Sequence, residues 1–195
     1  MPRITVLWVV AMIAVCASGC SGGSTTAVSS PIGSVIPLPA KVSLETVPMI
    51  LDPSQVPPAP DPAVNNATVA GVDSNSNGIR DDVERWIAQT YPTSAKMRAA
   101  MAQMALNSQK EITAPNLSRE SAYKIGLESM DAVRCSRASS SASGANWNIK
   151  DYMATVYNTR ARFSALMEFQ NTMGSRVFKV PQEDACTISA TQLPN

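Results

Sequence analysis

The chain has 195 residues, with 16 Lys and Arg against 15 Asp and Glu, a formal net charge of +1 and no His. So balanced a chain carries no basic field to neutralise phosphates, and nucleic acid is not an expected partner. Without His there is no Ser/His/Asp or Cys/His arrangement, and the sequence shows no nucleophile elbow, phosphate-binding glycine loop or dinucleotide fingerprint, so no catalytic or cofactor-binding residue is assigned.

At the N-terminus, Arg3 precedes an apolar run from Ile4 to Val15, followed by Ala17, Ser18, Gly19 and Cys20. A basic residue, a short apolar stretch and small residues before a cut describe an export signal. The run is short of the ~20 apolar residues that a membrane span needs, although an uncleaved anchor and plain secretion remain alternatives. The Cys directly after the small residues resembles the lipobox of bacterial lipoproteins. That resemblance implies that residues 1–19 are a signal peptide and that Cys20 carries lipid, fixing the protein to a membrane of the bacterial cell envelope. Ser21 in the next position implies the outer membrane, facing the periplasm.

Residues 20–72 are rich in Pro, Ser, Ala, Thr and Val, with prolines recurring from Pro31 to Pro62. Proline blocks helix and removes backbone donors, so a disordered, extended tether is expected there. Val42 to Leu51 is its apolar exception, a candidate strand or strap along the domain.

The most specific pattern is Asp73-Ser74-Asn75-Ser76-Asn77-Gly78-Ile79-Arg80-Asp81-Asp82-Val83-Glu84. Oxygen side chains at positions one, three, five, nine and twelve with Gly at six follow the ligand spacing of an EF-hand calcium loop. Asp73, Asn75, Asn77, Asp81 and Glu84 would offer side-chain oxygens and Ile79 its carbonyl. The order Ile79 then Arg80 places the aliphatic residue at seven instead of eight. In this it is similar to the single loops of thrombospondin type 3 repeats. One loop with three acidic ligands implies weak binding of a structural Ca²⁺, in the ~10⁻⁴ to 10⁻³ M range of extracellular modules. The alternative is an Asn/Asp/Gly turn that caps the next helix without metal.

Residues 73–195 read as one mainly α domain, a small helical bundle. Asp81 or Asp82 opens a helix with Val83, Trp86, Ile87 and Tyr91 on one face, ended by Pro92. Thr93 or Ser94 caps a second, to about Ser108, whose inner face is Met97, Met101, Met104 and Ala105. Ser118 starts a third, to about Arg137, with Tyr123, Leu127, Met130 and Val133 inward, and a Ser/Ala/Gly loop follows from Ser139 to Ala145. The longest helix is expected from about Ile149 to Met173, with Ile149, Tyr152, Met153, Val156, Phe163, Leu166, Met167 and Met173 on one side and Gly174 as its stop. Residues 176–180 are expected to be extended.

Of the four Cys, Cys16 falls in the signal and Cys20 would be acylated, leaving Cys135 and Cys186 to pair in an oxidising compartment. A bridge across ~50 residues contributes about 4 kcal/mol in the chain-entropy model. The Met face is read as core packing, with soft-metal binding or a groove for a partner helix as alternatives. Glu120, Glu128, Asp131, Asp151 and Glu168 are the acidic residues from which a carboxylate-based glycan hydrolase could draw its pair. The expected role is therefore a non-catalytic binding or assembly module of the envelope, acting on an envelope protein. A His-free cell-wall hydrolase and an inhibitor or chaperone of another envelope protein are the alternatives.

Overall fold

Ser94, Ser118 and Thr159 each accept a hydrogen bond from the backbone N–H three residues on, of Met97 (3.2 Å), Ser121 (3.1 Å) and Arg162 (3.2 Å). Those caps satisfy donors that a helix start leaves open, and they set the origins of three of the helices. The structure is a computed structural model; it describes residues 45–175, 185–187 and 193–194. Within them lie a 3₁₀ turn (Pro48–Ile50) and six helices: α1 (Pro62–Asn66), α2 (Asp81–Thr90), α3 (Ala95–Thr113), α4 (Arg119–Ser143), α5 (Ile149–Val156) and α6 (Arg160–Met173). No strand occurs among the described residues, and the domain is mainly α, as its periodicity predicts. Signal, lipobox and residues 176–180 lie outside the described residues.

The α3–α4 hairpin is the spine, and the 3₁₀ turn, α2, α5 and α6 pack on it. The two helices run antiparallel: Glu111 meets Ser129, whereas Ala99 and Gln103 lie beside Cys135 and Ser139. The buried face of α4 is Ala122, Gly126, Ala132, Cys135, Ser136 and Ser139. This corrects the expected face: Met130 is 37% exposed, and Tyr123, Leu127 and Val133 are only half-buried. Small residues are buried because α3 offers an alanine-rich surface, so the helices meet through Ala, Gly and Ser rather than through large side chains. Met97, Met101 and Met104 are core residues, with at most 6% exposure.

Helix ends depart from expectation for local reasons. α4 continues through the Ser-rich stretch, where Ser141 and Ser143 donate back to the carbonyls of Arg137 (3.1 Å) and Ser139 (2.7 Å) instead of competing for backbone elsewhere, and left-handed Gly144 (φ 70°) ends it. The single helix expected over 149–173 is two. Thr159 takes an extended conformation and caps α6, while Asn158 accepts from Arg162. The break shifts the helical phase and leaves Phe163 53% exposed while Leu166 and Phe169 are buried; within α5, Tyr152 and Val156 make the inner face and Met153, one residue off it, is 40% exposed.

The folded body also begins before Asp73. Val47, Met49 and Ile50 are at most 1% exposed in the main core, and Asp61 caps α1 through the N–H groups of Ala63 (2.9 Å) and Val64 (3.0 Å). Residues 45–72, expected to belong to the tether, are thus strapped to the helices. The buried Arg98 holds the strap: its guanidinium donates to the carbonyls of Met49 (2.8 Å) and Ile50 (3.0 Å), and to Tyr91 (2.7 Å) at the end of α2. Proline-rich backbone has carbonyls to spare, and Arg supplies five donors on one rigid fork.

At the other end, Cys135 of α4 is bonded to Cys186, 51 residues on, so the expected disulfide is present. Gln103 of α3 fixes the same stretch, donating to the Ala185 carbonyl and accepting from the Thr187 N–H, both at 2.9 Å.

Candidate metal centre

Residues 73–84 fold back on themselves. Asp73 accepts from the N–H groups of Asn77 (3.2 Å) and Gly78 (2.8 Å), Asn77 Oδ1 accepts from Ile79 (2.9 Å), and Asp81 Oδ1 accepts from Ser74 (3.0 Å). The turn requires left-handed backbone at Ser76 (φ 57°) and Gly78 (φ 86°). Gly suits the second position twice over, since a Cβ there would lie 2.9 Å from Leu106 of α3.

Glu84, on the first turn of α2, has no solvent exposure. Its Oε1 accepts from Asn77 Nδ2 (2.8 Å) and its Oε2 from Asn75 Nδ2 (3.1 Å). Burial pushes this carboxyl up to about 7; the two amides oppose the rise, and the charges of Asp81 and Asp73 add to it. Asp73, Asn75, Asn77, Asp81 and Glu84 are therefore neighbours. Ile79 is fully buried in the main core, so its side chain anchors the loop and only its backbone is left for a ligand role.

An oxygen-rich loop suits a hard cation. Both amides point N–H groups at Glu84, and each would have to rotate about its last bond to turn Oδ1 inward instead. No group of three His, Cys, Asp or Glu side chains among the described residues forms a metal site by itself. An ion here would depend on the Asn oxygens and the Ile79 carbonyl as much as on the acids.

Arg80, at the loop position where an EF-hand carries its aliphatic residue, is 1% exposed. It pairs with Asp82 (2.6 Å) and donates to the carbonyls of Val156 (3.1 Å) and Thr155 (2.9 Å), which α5 leaves open at its end. Arg162 of α6, fully buried, donates to the carbonyls of Val69 (3.1 Å), Thr68 (3.3 Å) and Asn65. Gly71 (φ 71°) passes between the two guanidinium side chains: a Cβ on it would collide with Arg80 Cδ and lie 2.7 Å from both Arg162 Nη2 and Asn65 Oδ1. Burial and the nearby Arg80 charge lower the Arg162 pKa.

The acidic residues singled out from the sequence are dispersed. Glu128 pairs with Lys110 (2.9 Å), Asp131 with Arg134 (3.0 Å), and Asp151 accepts from Asn148 (2.7 Å), while Glu120 and Glu168 are exposed. The carboxylate that sequence reading missed is Glu111. Its Oε1 accepts from Ser129 (2.6 Å) and its Oε2 from Tyr157 (2.7 Å), and burial raises its pKa. Its signal was the spacing Met97, Met101, Met104, Ser108, Glu111, an inner face that continues once α3 runs on to Thr113.

Comparison of the chain with known protein families, curated proteins and solved structures finds no match in any of the three. Among the described residues no helix is long and apolar enough to cross a membrane.

Proposed function

We propose that the protein is a lipid-anchored component of the bacterial cell envelope, held to the outer membrane through Cys20 and facing the periplasm. Its helical domain is a non-catalytic binding or assembly module for an envelope protein, with one structural Ca²⁺ in the 73–84 loop. The observation that supports the calcium reading is the Glu84 carboxylate, fully buried among oxygen-bearing side chains and met only by two neutral amides. When bound, the ion would supply positive charge there. Asp73, Asn75, Asn77, Asp81 and Glu84 would hold it with the Ile79 carbonyl, clipping the strap to the start of α2.

The test is thermal unfolding with and without Ca²⁺. Millimolar Ca²⁺ raises Tm, and Asp73→Ala removes the gain, because an ion that binds only the folded state stabilises it by mass action. No shift at 5 mM Ca²⁺ would sink the metal assignment. Fractionation tests the anchor separately: Cys20→Ser moves the protein from the membrane pellet to the soluble periplasmic fraction. Capture of the native protein from membranes with and without a chelator then shows whether a partner depends on the ion.

A further inference from the structure

Two adjoining cavities share Glu111 and Phe169 as a common wall. The first, about 220 Å³, lies between α3, α4, α5 and α6 and is lined mainly by apolar side chains: Met104, Met130, Met153, Leu166 and Met173. The second, about 260 Å³, is polar, and Glu168 and Asn116 line it with Glu111. No Lys or Arg lines either cavity. Glu111 joins none of the ion pairs seen among the described residues, and Lys110, next to it in sequence, is engaged by Glu128. Ser129 and Tyr157 give its two oxygens one donor each, which leaves further acceptor sites on a carboxylate.

An apolar cleft with one convergent polar group is the usual form of a small-molecule site. Here that group is a carboxyl with no Lys or Arg lining either cavity, and a second carboxyl, Glu168, stands next door. Thioether sulfurs are polarisable and adaptable, suited to alkyl chains of varied shape, and the rings of Phe169 and Tyr157 add favourable surface for a cationic head. The volume of the first cavity corresponds to roughly seven waters at ~30 Å³ each, room for a short chain.

We propose that this cleft binds a small amphiphilic amine, with the alkyl body among the methionines and the ammonium on Glu111. The assignment is independent of the calcium loop and of the lipid anchor. Glu111 is the charge partner, Glu168 supports it across the second cavity, and Met153, 40% exposed, stands on the rim.

Isothermal titration of the full chain with octylammonium, octanol and octanoate tests it. Octylammonium binds at least tenfold more tightly than octanol, and octanoate more weakly than either. Glu111→Gln brings octylammonium down to the octanol level while octanol is unchanged, which a general loss of folding would not do. Met153→Arg, at an exposed position, lowers octylammonium affinity at least tenfold and leaves Tm unaltered. Equal affinity for ammonium and alcohol, a preference for octanoate, or no octylammonium binding at millimolar concentration overturns the proposal.

Discussion

Arg80 and Glu84 are four residues apart at the start of α2, both withdrawn from water, yet their charges are met in opposite ways. Arg80 is neutralised by Asp82 and bonded to the end of α5, so its cost of burial is covered by groups brought from the other side of the fold. Glu84 meets only the amides of Asn75 and Asn77, and its neighbouring charges, Asp73 and Asp81, have the same sign. The arginine region is a finished structural joint; the glutamate region is an incomplete electrostatic one. A cation in the loop would bring the second into line with the first.

The joint should break most readily at Gly71. An Ala there must adopt φ 71° and place its Cβ against Arg80, Arg162 and Asn65 at once, so Gly71→Ala is expected to lose about 4 kcal/mol. Urea unfolding would show a lower midpoint at nearly constant slope, and an unchanged midpoint would mean that the arginine packing is soft. Next in size is removal of the bridge by Cys135→Ser with Cys186→Ser. A bridge spanning 51 residues is expected to contribute at most about 4 kcal/mol, chiefly by restricting the unfolded chain. It touches neither charged region, so the pH and calcium responses of the variant should match those of the parent.

Much of this contrast was legible in part. The loop residues stand out because a ligand spacing is written contiguously, and the caps Ser94 and Ser118 mark helix starts from local chemistry. What the sequence could not disclose is which distant backbone a buried Arg will reach. Arg162 bonds to residues 65–69, more than ninety positions away, and nothing in the spacing of either segment announces that pairing. Counting prolines made 45–72 a tether for the same reason, since the Arg98 and Arg162 donors that hold it belong to helices further along. The inner face of α4 is not legible from apolar periodicity, which weights large residues, whereas close packing against an alanine-rich partner selects Ala122, Gly126 and Ala132. Glu111 is hidden in the sequence because the apolar face of α3 is followed by the polar run Asn107 to Glu111, which reads as a helix end.

The incomplete region can be probed by pH in the absence of calcium. Glu84 has its carboxyl raised from 4.5 to about 7 in the folded protein, so between those values the native state holds a proton that the unfolded chain has released. Stability from this group is full below pH 4.5 and is lost as pH rises through 7, a fall on the order of 2 kcal/mol. Glu111, also raised by burial, contributes in the same direction, so Glu84→Gln flattens only part of the decline. Denaturant midpoints from pH 4.5 to 8 measure it; a rise in stability over that window would contradict the burial of an uncompensated carboxylate.

Calcium gives the smallest and most discriminating effect. For a site of ~10⁻³ M affinity, 5 mM Ca²⁺ stabilises the fold by about 1 kcal/mol, a few degrees in Tm. Because the ion requires Glu84 ionised, the gain should be present at pH 8 and nearly absent at pH 5, where the folded protein keeps that carboxyl protonated. Glu84→Gln should lose the calcium response at both pH values, while Arg80, already paired, leaves it with nothing to replace. Mg²⁺, smaller and demanding octahedral geometry, should give less stabilisation at equal concentration. A calcium gain equal at pH 5 and pH 8 would place the ion away from Glu84, and the contrast between the two buried charges would then have no bearing on metal binding.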